Sequence, residues 1–505
     1  MGKGKILIYD YGTTALKTVL FDEDLNIIDK VSLELTYEYP KEKYIEFEPG
    51  KYWEMVIKST KMILDKNDCR DSLEVISITS QAETLIPVDF NGRPLRKAIV
   101  WLDERAEEES RELQEKLKMD TFYIHTGLST IDPILPLSKI IWLKLHEGET
   151  YKNTYKFLLL KDFIINKLSG EMVTDFSVAS CTGYFDIRKK EWWTDVLDLA
   201  GIDRNKLPEV EDSAYCPGYL REEVKRTLGL SRDVKVMNGM LDQCGSAIGA
   251  GNIETGILTE TTGTAMVLAF TLDKIEDLKV KDKIPVVCHG IRDKYLILPY
   301  SPTAGIILKW FKDNFCSEEM NLAKEQNRDV YQIIDEMVEK REIILPELIV
   351  LPHFCGIITP ISNPNMKGAI FGLDLKVDKI DIAKAIMESI GFMLKEQIDF
   401  LSSKGFKINE IISLGGGARS NIWLQIKSNI LNRRILALEN EESASFGCAV
   451  IAAVADGLIN KPDVVKQKVR IREEFIPDPK EVDIYEQKYK KYLQFCRMFL
   501  PSIKL

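Results

Sequence analysis

The sequence predicts an α/β protein made of two related halves, on three observations. Short apolar runs ended by turn residues alternate with segments of helical period, so strands and helices interleave. A Gly-Thr hairpin occurs twice, in YDYGTTALKTVLFD (9–22) and in ETGILTETTGTAMVLAF (254–270). The last third reads strand, glycine turn, helix, strand, helix through INEIISLGGGARSNIWLQIKSNIL, RRILAL and SASFGCAVIAAVADG. A chain of 505 residues is too long for one hydrophobic core, and the expected division near residue 250 gives domains 1–250 and 251–505.

Taken in order, KILIYD, LKTVLFD and NIIDKVSLEL predict two or three adjoining strands. GKYWEMVIKSTKMILDKN (50–67) spaces Trp53, Val56, Ile57, Thr60 and Ile63 at helical intervals. EVISITS (74–80) and LIPVDFNGRPL predict strands, the second turning at Asn91-Gly92. AIVWLDERAEEESRELQEKLK runs from a strand into a charged helix. ILPLSKIIWLKLH (134–146) and YKFLLLKDFIINKLSG (155–170) predict helices, and VTDFSVASCTGYFDIRKKEWW is rich in turns. VKVMNGMLDQCGSAIGAG predicts a strand, a loop and a helix of small residues. A long amphipathic helix is expected over 378–405, with Ile382, Ala385, Ile386, Ser389, Met393, Ile398 and Leu401 near one face and Gly405 as its stop. EVDIYEQKYKKYLQFCRMFL predicts a closing helix.

Composition narrows the function. The chain is 45% hydrophobic and 29% charged, as in a soluble globular protein, with a net charge of -10. That balance argues against nucleic acid or an anionic membrane as main partner. Nine scattered cysteines without a C-x-x-C pair predict reduced thiols in a cytoplasmic protein. The N-terminus is too short and too early in its apolar run for a signal peptide, and no run is long enough for a membrane span. Neither G-x-G-x-x-G nor G-x-x-x-x-G-K-[ST] occurs, which weighs against a Rossmann dehydrogenase or a P-loop NTPase.

Four stretches could carry chemistry. The hairpin turns, Gly12-Thr13-Thr14 after Asp10 and Gly263-Thr264, expose backbone N–H groups and hydroxyls with little bulk, which suits a polyphosphate. Either alone is also an ordinary turn; recurrence in both halves favours function and suggests half-domains facing a cleft. GGGARSNIW (415–423) lets a ligand approach backbone before a helix N-terminus, or is simply a tight turn. Asp242 falls between an apolar strand and a helix, as a helix N-cap and as a carboxylate able to take a proton from a hydroxyl. Gln81, Glu83, Trp101, Asp103 and Arg105 gather polar groups and an indole, as a polyhydroxylated ligand requires, although surface loops are polar too.

Together these motifs resemble the FGGY carbohydrate kinases. The likeness runs in order over nearly the whole chain, through DYGTTALKTVLFD, SQAETLIPVDFNGRPLRKAIVWLDERA, VTDFSVASCTGYFDI, LDQCGSAIGAG, TTGTAMV, LPHFCGIITPISNPNMKGAIFGL, GGGARSNIWLQI and SFGCAVIAA. It implies two ribonuclease-H-like domains of the actin and sugar-kinase type flanking a catalytic cleft, and phosphorylation of a sugar or polyol by ATP with Mg²⁺. It implies Asp242 as general base and, with Asp10, as a metal-side acid. Gly12, Thr13, Thr14, Lys17, Gly263 and Thr264 fall where the family holds phosphates, and Gly416, Gly417 and Asn421 where it holds adenosine. Gln81, Glu83, Trp101, Asp242 and Gln243 fall on the acceptor side. A ketopentose is the leading acceptor, with glycerol, a tetritol or gluconate as alternatives. An actin-like ATPase or a degenerate binding protein is the reading from another class, and a homodimer is compatible with the family. Ala82, Ile134, Ile357, Ile358 and Asn429 depart from the usual family residues.

Overall fold

The computed structural model describes residues 4–277, 279–341, 347–359, 363 and 365–499; Pro360, Ile361, Ser362 and Pro364 of the LPHFCGIITPISNPNMKGAIFGL block lie outside them. Two compact units form. One holds the chain up to Ile253 together with Thr271–Ile297 and Glu442–Val469; the other holds Glu254–Phe270, Leu298–Glu441 and the chain from Arg470. A single division near residue 250 was expected. The chain instead returns to the first unit twice after its crossing at 253/254.

In the first unit the strands Lys5–Tyr11 and Ala15–Phe21 form the expected antiparallel hairpin, extended by Ile27–Glu34. Ile6, Leu7, Ile8, Val19, Leu20 and Phe21 are fully buried, as in a strand pair covered on both faces. Lys5–Tyr11 also runs parallel to Leu73–Ser80, which pairs in parallel with Lys235–Val236 and Met240–Leu241. The helix Pro49–Asn67 starts on a proline at its first turn and buries Tyr52, Val56, Thr60 and Ile63. Its face centres on Tyr52; Trp53 and Ile57 are half-buried at its edge.

The segment expected as one helix over 155–170 divides. Lys156–Leu159 is a strand pairing antiparallel with Leu85–Val88, and the helix begins at Leu160. A four-residue apolar run has no period to distinguish strand from helix, and the partner strand decides it. The helix Ser443–Asp456, expected in the second half, packs in the first unit against Asp242–Gly249. Small residues make this possible: a Cβ on Gly447 would lie 2.0 Å from the Gly245 carbonyl, and one on Gly249 would lie 1.9 Å from that of Ser443.

In the second unit Ile257–Thr262 and Met266–Leu272 form the second hairpin. Ile257–Thr262 runs parallel to Glu410–Leu414, which runs parallel to Ile435–Leu438; Ile471–Phe475 closes that edge antiparallel. The helix Lys379–Ser403 opens on a reciprocal cap between Asp378 and Asp381. It is buried on every side from Ala383 to Leu394, so the single apolar face expected for it is too narrow, and Ile382 is only half-buried. Gly405 at φ 96° follows its end as expected. Among the described residues no helix is long and apolar enough to cross a membrane. All nine cysteines are free thiols.

Candidate active site

Three carboxylates gather in the first unit. Asp10 is the penultimate residue of the strand Lys5–Tyr11, level with Lys17 on one neighbour and Thr79 on the other. Leu241 pairs with Ser80 at the end of the same central strand, which sets Asp242 beside that end. Asp242 is the first residue of the helix Asp242–Gly249; the N-cap expected of it is Leu241. Its carboxylate instead accepts the Gln243 N–H at 2.7 Å. Burial pushes the Asp242 carboxyl up to about 6 against that hydrogen bond. Burial, with the Asp242 charge adding, pushes Asp10 up to about 7, while Lys17 opposes the rise. Glu83 is likewise raised by burial, with Asp242 and Asp132 adding and Lys139 opposing.

The segment expected on the acceptor side is held by buried groups. Glu83 adopts φ 62°, a strained backbone for a non-glycine residue. Lys139, fully buried, donates to the carbonyls of Glu83 (3.0 Å), Val100 (2.9 Å) and Trp101 (3.3 Å). These three bonds use all its donors. Thr84 Oγ1 accepts from Gln81 Nε2 at 2.7 Å and from the Trp101 N–H at 3.0 Å, joining two expected site residues. Gln81 Oε1 and Trp101 Nε1 are buried without a protein partner, leaving an acceptor and a donor for a ligand. Asp103 and Arg105, grouped with them in the sequence, instead pair bidentately with each other, and Arg105 also reaches Glu46. Ala82 is buried and Ile134 half-buried.

The first hairpin tip carries Gly12 and Thr13, half-buried, and Thr14, exposed. Lys17 is tied to Glu442 at 2.8 Å, and Lys30 reaches the same carboxylate at 3.0 Å. Glu442 lies some 425 residues further along the chain. No sequence pattern connects it to the hairpin.

In the second unit a pocket of about 640 Å³ is lined by Gly263, Thr264, Gly416, Gly417, Tyr331 and Asp335, among others. It brings together the second hairpin and the glycine turn. The hairpin tip is clasped by the start of the helix Gly305–Phe315: Gly305 N–H donates to Gly263 O at 2.8 Å and Ala304 N–H to Thr264 O at 2.9 Å. A Cβ on Gly417 would lie 2.8 Å from the Thr262 side chain, whereas one on Gly416 would meet nothing within 4 Å. Asp335, raised to about 6 by burial against a hydrogen bond from Ser420, comes from the helix Val330–Glu339. Sequence reading missed it, because an acid on an amphipathic helix carries no local signal.

Asn421 is not part of this pocket. Ser420 caps the helix Asn421–Leu431, and the Asn421 side chain is held by Glu473 (2.7 Å) and Arg472 (3.1 Å). Beneath the second hairpin Lys427 and Glu260 form a fully buried ion pair, joined by Thr262 and Ser413. Asn429 accepts from Gln425 and the Asp478 N–H and donates to Glu481 at 2.6 Å, so this departure from the family pattern stitches two helices. The Ile357 backbone bridges to Asn363, and Ile358 is exposed.

Comparison with known proteins supplies the family. Residues 5–249 match the model of the N-terminal domain of the FGGY family of carbohydrate kinases, and 261–455 that of its C-terminal domain. The chain is 30% identical to a xylulose kinase of Staphylococcus xylosus, covering 89% of this chain and 91% of that one. It is 27% identical to a gluconokinase of Bacillus subtilis, covering 91% and 89%. Its fold is similar to that of a ligand-bound xylulose kinase from Lactobacillus acidophilus, with a TM-score of 0.88 over 99% of both chains at 24% identity. The expected fold, two actin-like ribonuclease-H-like domains, therefore holds, and the chain belongs to the FGGY family of carbohydrate kinases, a phosphotransferase that uses ATP on a small-molecule sugar or polyol.

Proposed function

We propose that the acceptor is a ketopentose or a closely related neutral sugar or polyol, and that Asp242 takes its proton. The carrying observation is the charge around Asp242. The Asp242 charge acts on Glu83 and Asp10, both acids, with Lys139 opposing at Glu83 and Lys17 at Asp10; Lys139 also donates to three carbonyls, and Arg105 is paired with Asp103 and Glu46. A sugar acid would bring a further negative charge into that cluster, so the neutral acceptors are favoured over gluconate. Gln81 Oε1 and Trp101 Nε1 offer the hydroxyl-binding groups, and the small Ala82 leaves room beside them.

In this reading the second unit holds ATP, with the polyphosphate on Gly263, Thr264, Gly416 and Gly417. In the first unit the hydroxyls and N–H groups of Gly12–Thr14 and the ammonium of Lys17 are donors suited to a phosphate. As the acceptor oxygen bonds to the γ-phosphorus, its proton passes to Asp242 and the bond to the β–γ bridging oxygen breaks, releasing ADP. An alcohol loses its proton late in such a step, so a carboxylate near 6 suffices.

Asp10 and Asp242 fit Mg²⁺. Asp10 is buried and Asp242 half-buried, and the Asp242 charge raises Asp10, a repulsion that a divalent cation relieves. When bound, it would supply charge neutralisation on the phosphates.

The test is ADP release in a coupled assay with xylulose, ribulose, glycerol, erythritol and gluconate. A ketopentose is expected to give the highest kcat/KM and gluconate the lowest. Gluconate outperforming both ketopentoses would overturn the acceptor assignment.

A further inference from the structure

Thr174–Ser177 of the VTDFSVASCTGYFDI block, where the strand Val173–Asp175 passes into the helix Phe176–Ala179, has no place in the mechanism above, yet Ser177 bonds the residue that precedes the base. Ser177 is fully buried, and its Oγ accepts the N–H of Leu241 at 2.9 Å, the residue before Asp242. Its own hydroxyl proton has one destination: Asp175 Oδ2, 2.5 Å away. The same oxygen accepts the Ser177 N–H at 2.9 Å and the Ser213 hydroxyl at 2.9 Å. The other Asp175 oxygen faces Lys161 Nζ at 3.3 Å, and both side chains are fully buried. Lys161 in turn donates to the Asn238 carbonyl at 3.0 Å and its side-chain oxygen at 3.1 Å.

The segment 238–241 is thus gripped at both ends by one network. Gly239, at φ 74°, lies so close to the central strand that a Cβ there would fall 1.8 Å from the Ile78 carbonyl. A buried ion pair is a poor source of stability but a strong source of fixed geometry when every hydrogen bond is directional. Here the direction is set: Asp175 is an acceptor, so Ser177 must point its proton away from Leu241 and present a lone pair to it.

We propose that Ser177, oriented by Asp175 and Lys161, is a positioning residue that fixes the backbone at Leu241 and so aims the Asp242 carboxylate. This rests on Asp242 being the base. Displacing a reacting group by about 1 Å costs on the order of 100-fold in rate, and that is the scale expected.

The test uses the full-length enzyme with Ser177→Ala, Ser177→Thr and Ser177→Val, alongside Asp242→Asn. Ser177→Ala is expected to lower kcat by about 10- to 100-fold, with KM for ATP and the ADP dissociation constant within about twofold. Threonine and valine share their shape, so their difference isolates the hydroxyl: Thr should recover most of kcat and Val should not. The inference is overturned if Ser177→Ala keeps full kcat, if Val equals Thr, or if ADP affinity falls in step with kcat. If Ser177→Ala does not fold, the Thr–Val pair decides alone. Turnover retained in Asp242→Asn would instead remove the base assignment, whereas an inactive Asp242→Asn beside a fully active Ser177→Ala would remove the positioning role only.

Discussion

The two Gly-Thr hairpins share a topology and differ in how their charges are compensated. Each is antiparallel within itself and parallel to the next strand of its sheet. In the first, Gly12, Thr13, Thr14 and Ala15 lie between the last paired residues, Tyr11 and Leu16. In the second only Gly263, Thr264 and Ala265 lie between Thr262 and Met266, and a helix start clasps the tip. Under the second hairpin the Glu260–Lys427 pair is buried and its oxygens are satisfied by Thr262 and Ser413. At the first, buried Asp10 is raised by burial and by the nearby Asp242 charge, and Lys17 remains 43% exposed while paired with Glu442. One scaffold thus carries a settled charge pair that holds the fold and an unsettled one suited to a charged ligand. Perturbed, uncompensated groups mark function more reliably than the turn sequence they share.

The largest effect that tests this contrast is at Asp242. Asp242→Ala should lower sugar-dependent ADP release by about 10³-fold or more while leaving ADP binding in place, measured by coupled assay and calorimetry. For the wild type, kcat/KM for the acceptor should fall as pH drops below about 6, where Asp242 gains its proton. Next come the two lysines that pair at the hairpins, Lys427 from the helix Asn421–Leu431 and Lys17 from the first hairpin itself. Lys427→Met strands Glu260 in the core and should cost about 3–5 kcal/mol in denaturant unfolding. Lys17→Met removes a half-exposed ion pair and should cost under about 1 kcal/mol, while raising KM for ATP. Equal costs at the two positions would break the comparison.

Asp10→Asn gives a smaller effect of opposite sign. A carboxyl held near 7 when folded, against 3.8 normally, stabilises the fold fully below about pH 4 and loses that contribution as pH rises through 7. The ligand-free Asn variant should therefore be more stable than wild type at pH 8, by on the order of a few kcal/mol, and added Mg²⁺ should raise the melting temperature of the wild type only. The smallest effect is at the glycine turn. Gly416→Ala meets no atom, so it should raise KM for ATP a few-fold without changing stability, whereas Gly417→Ala presses on Thr262 and should lower the melting temperature.

Much was legible in the chain itself. Apolar runs such as Ile6–Ile8 and Val19–Phe21 have no stable place except a buried strand pair, and the hairpins, the capped helix from Asp378 and the glycine turn all form where their local chemistry puts them. Asp10, Asp242, Gln81, Glu83 and Trp101 stand out as candidates because each sits in a short stretch whose composition is odd for its setting. Tertiary structure decided the rest. It turned Lys156–Leu159 from helix to strand by supplying a partner edge, brought the helix Ser443–Asp456 and Glu442 into the first unit, and turned Asn421 toward Glu473. It also set Lys139 against the Glu83 carbonyl and Ser177 against the Leu241 N–H. Those contacts depend on what burial leaves as the nearest polar partner. Local sequence fixes which conformations a segment can adopt, but the partner that satisfies a buried charge or hydroxyl lies tens to hundreds of residues away.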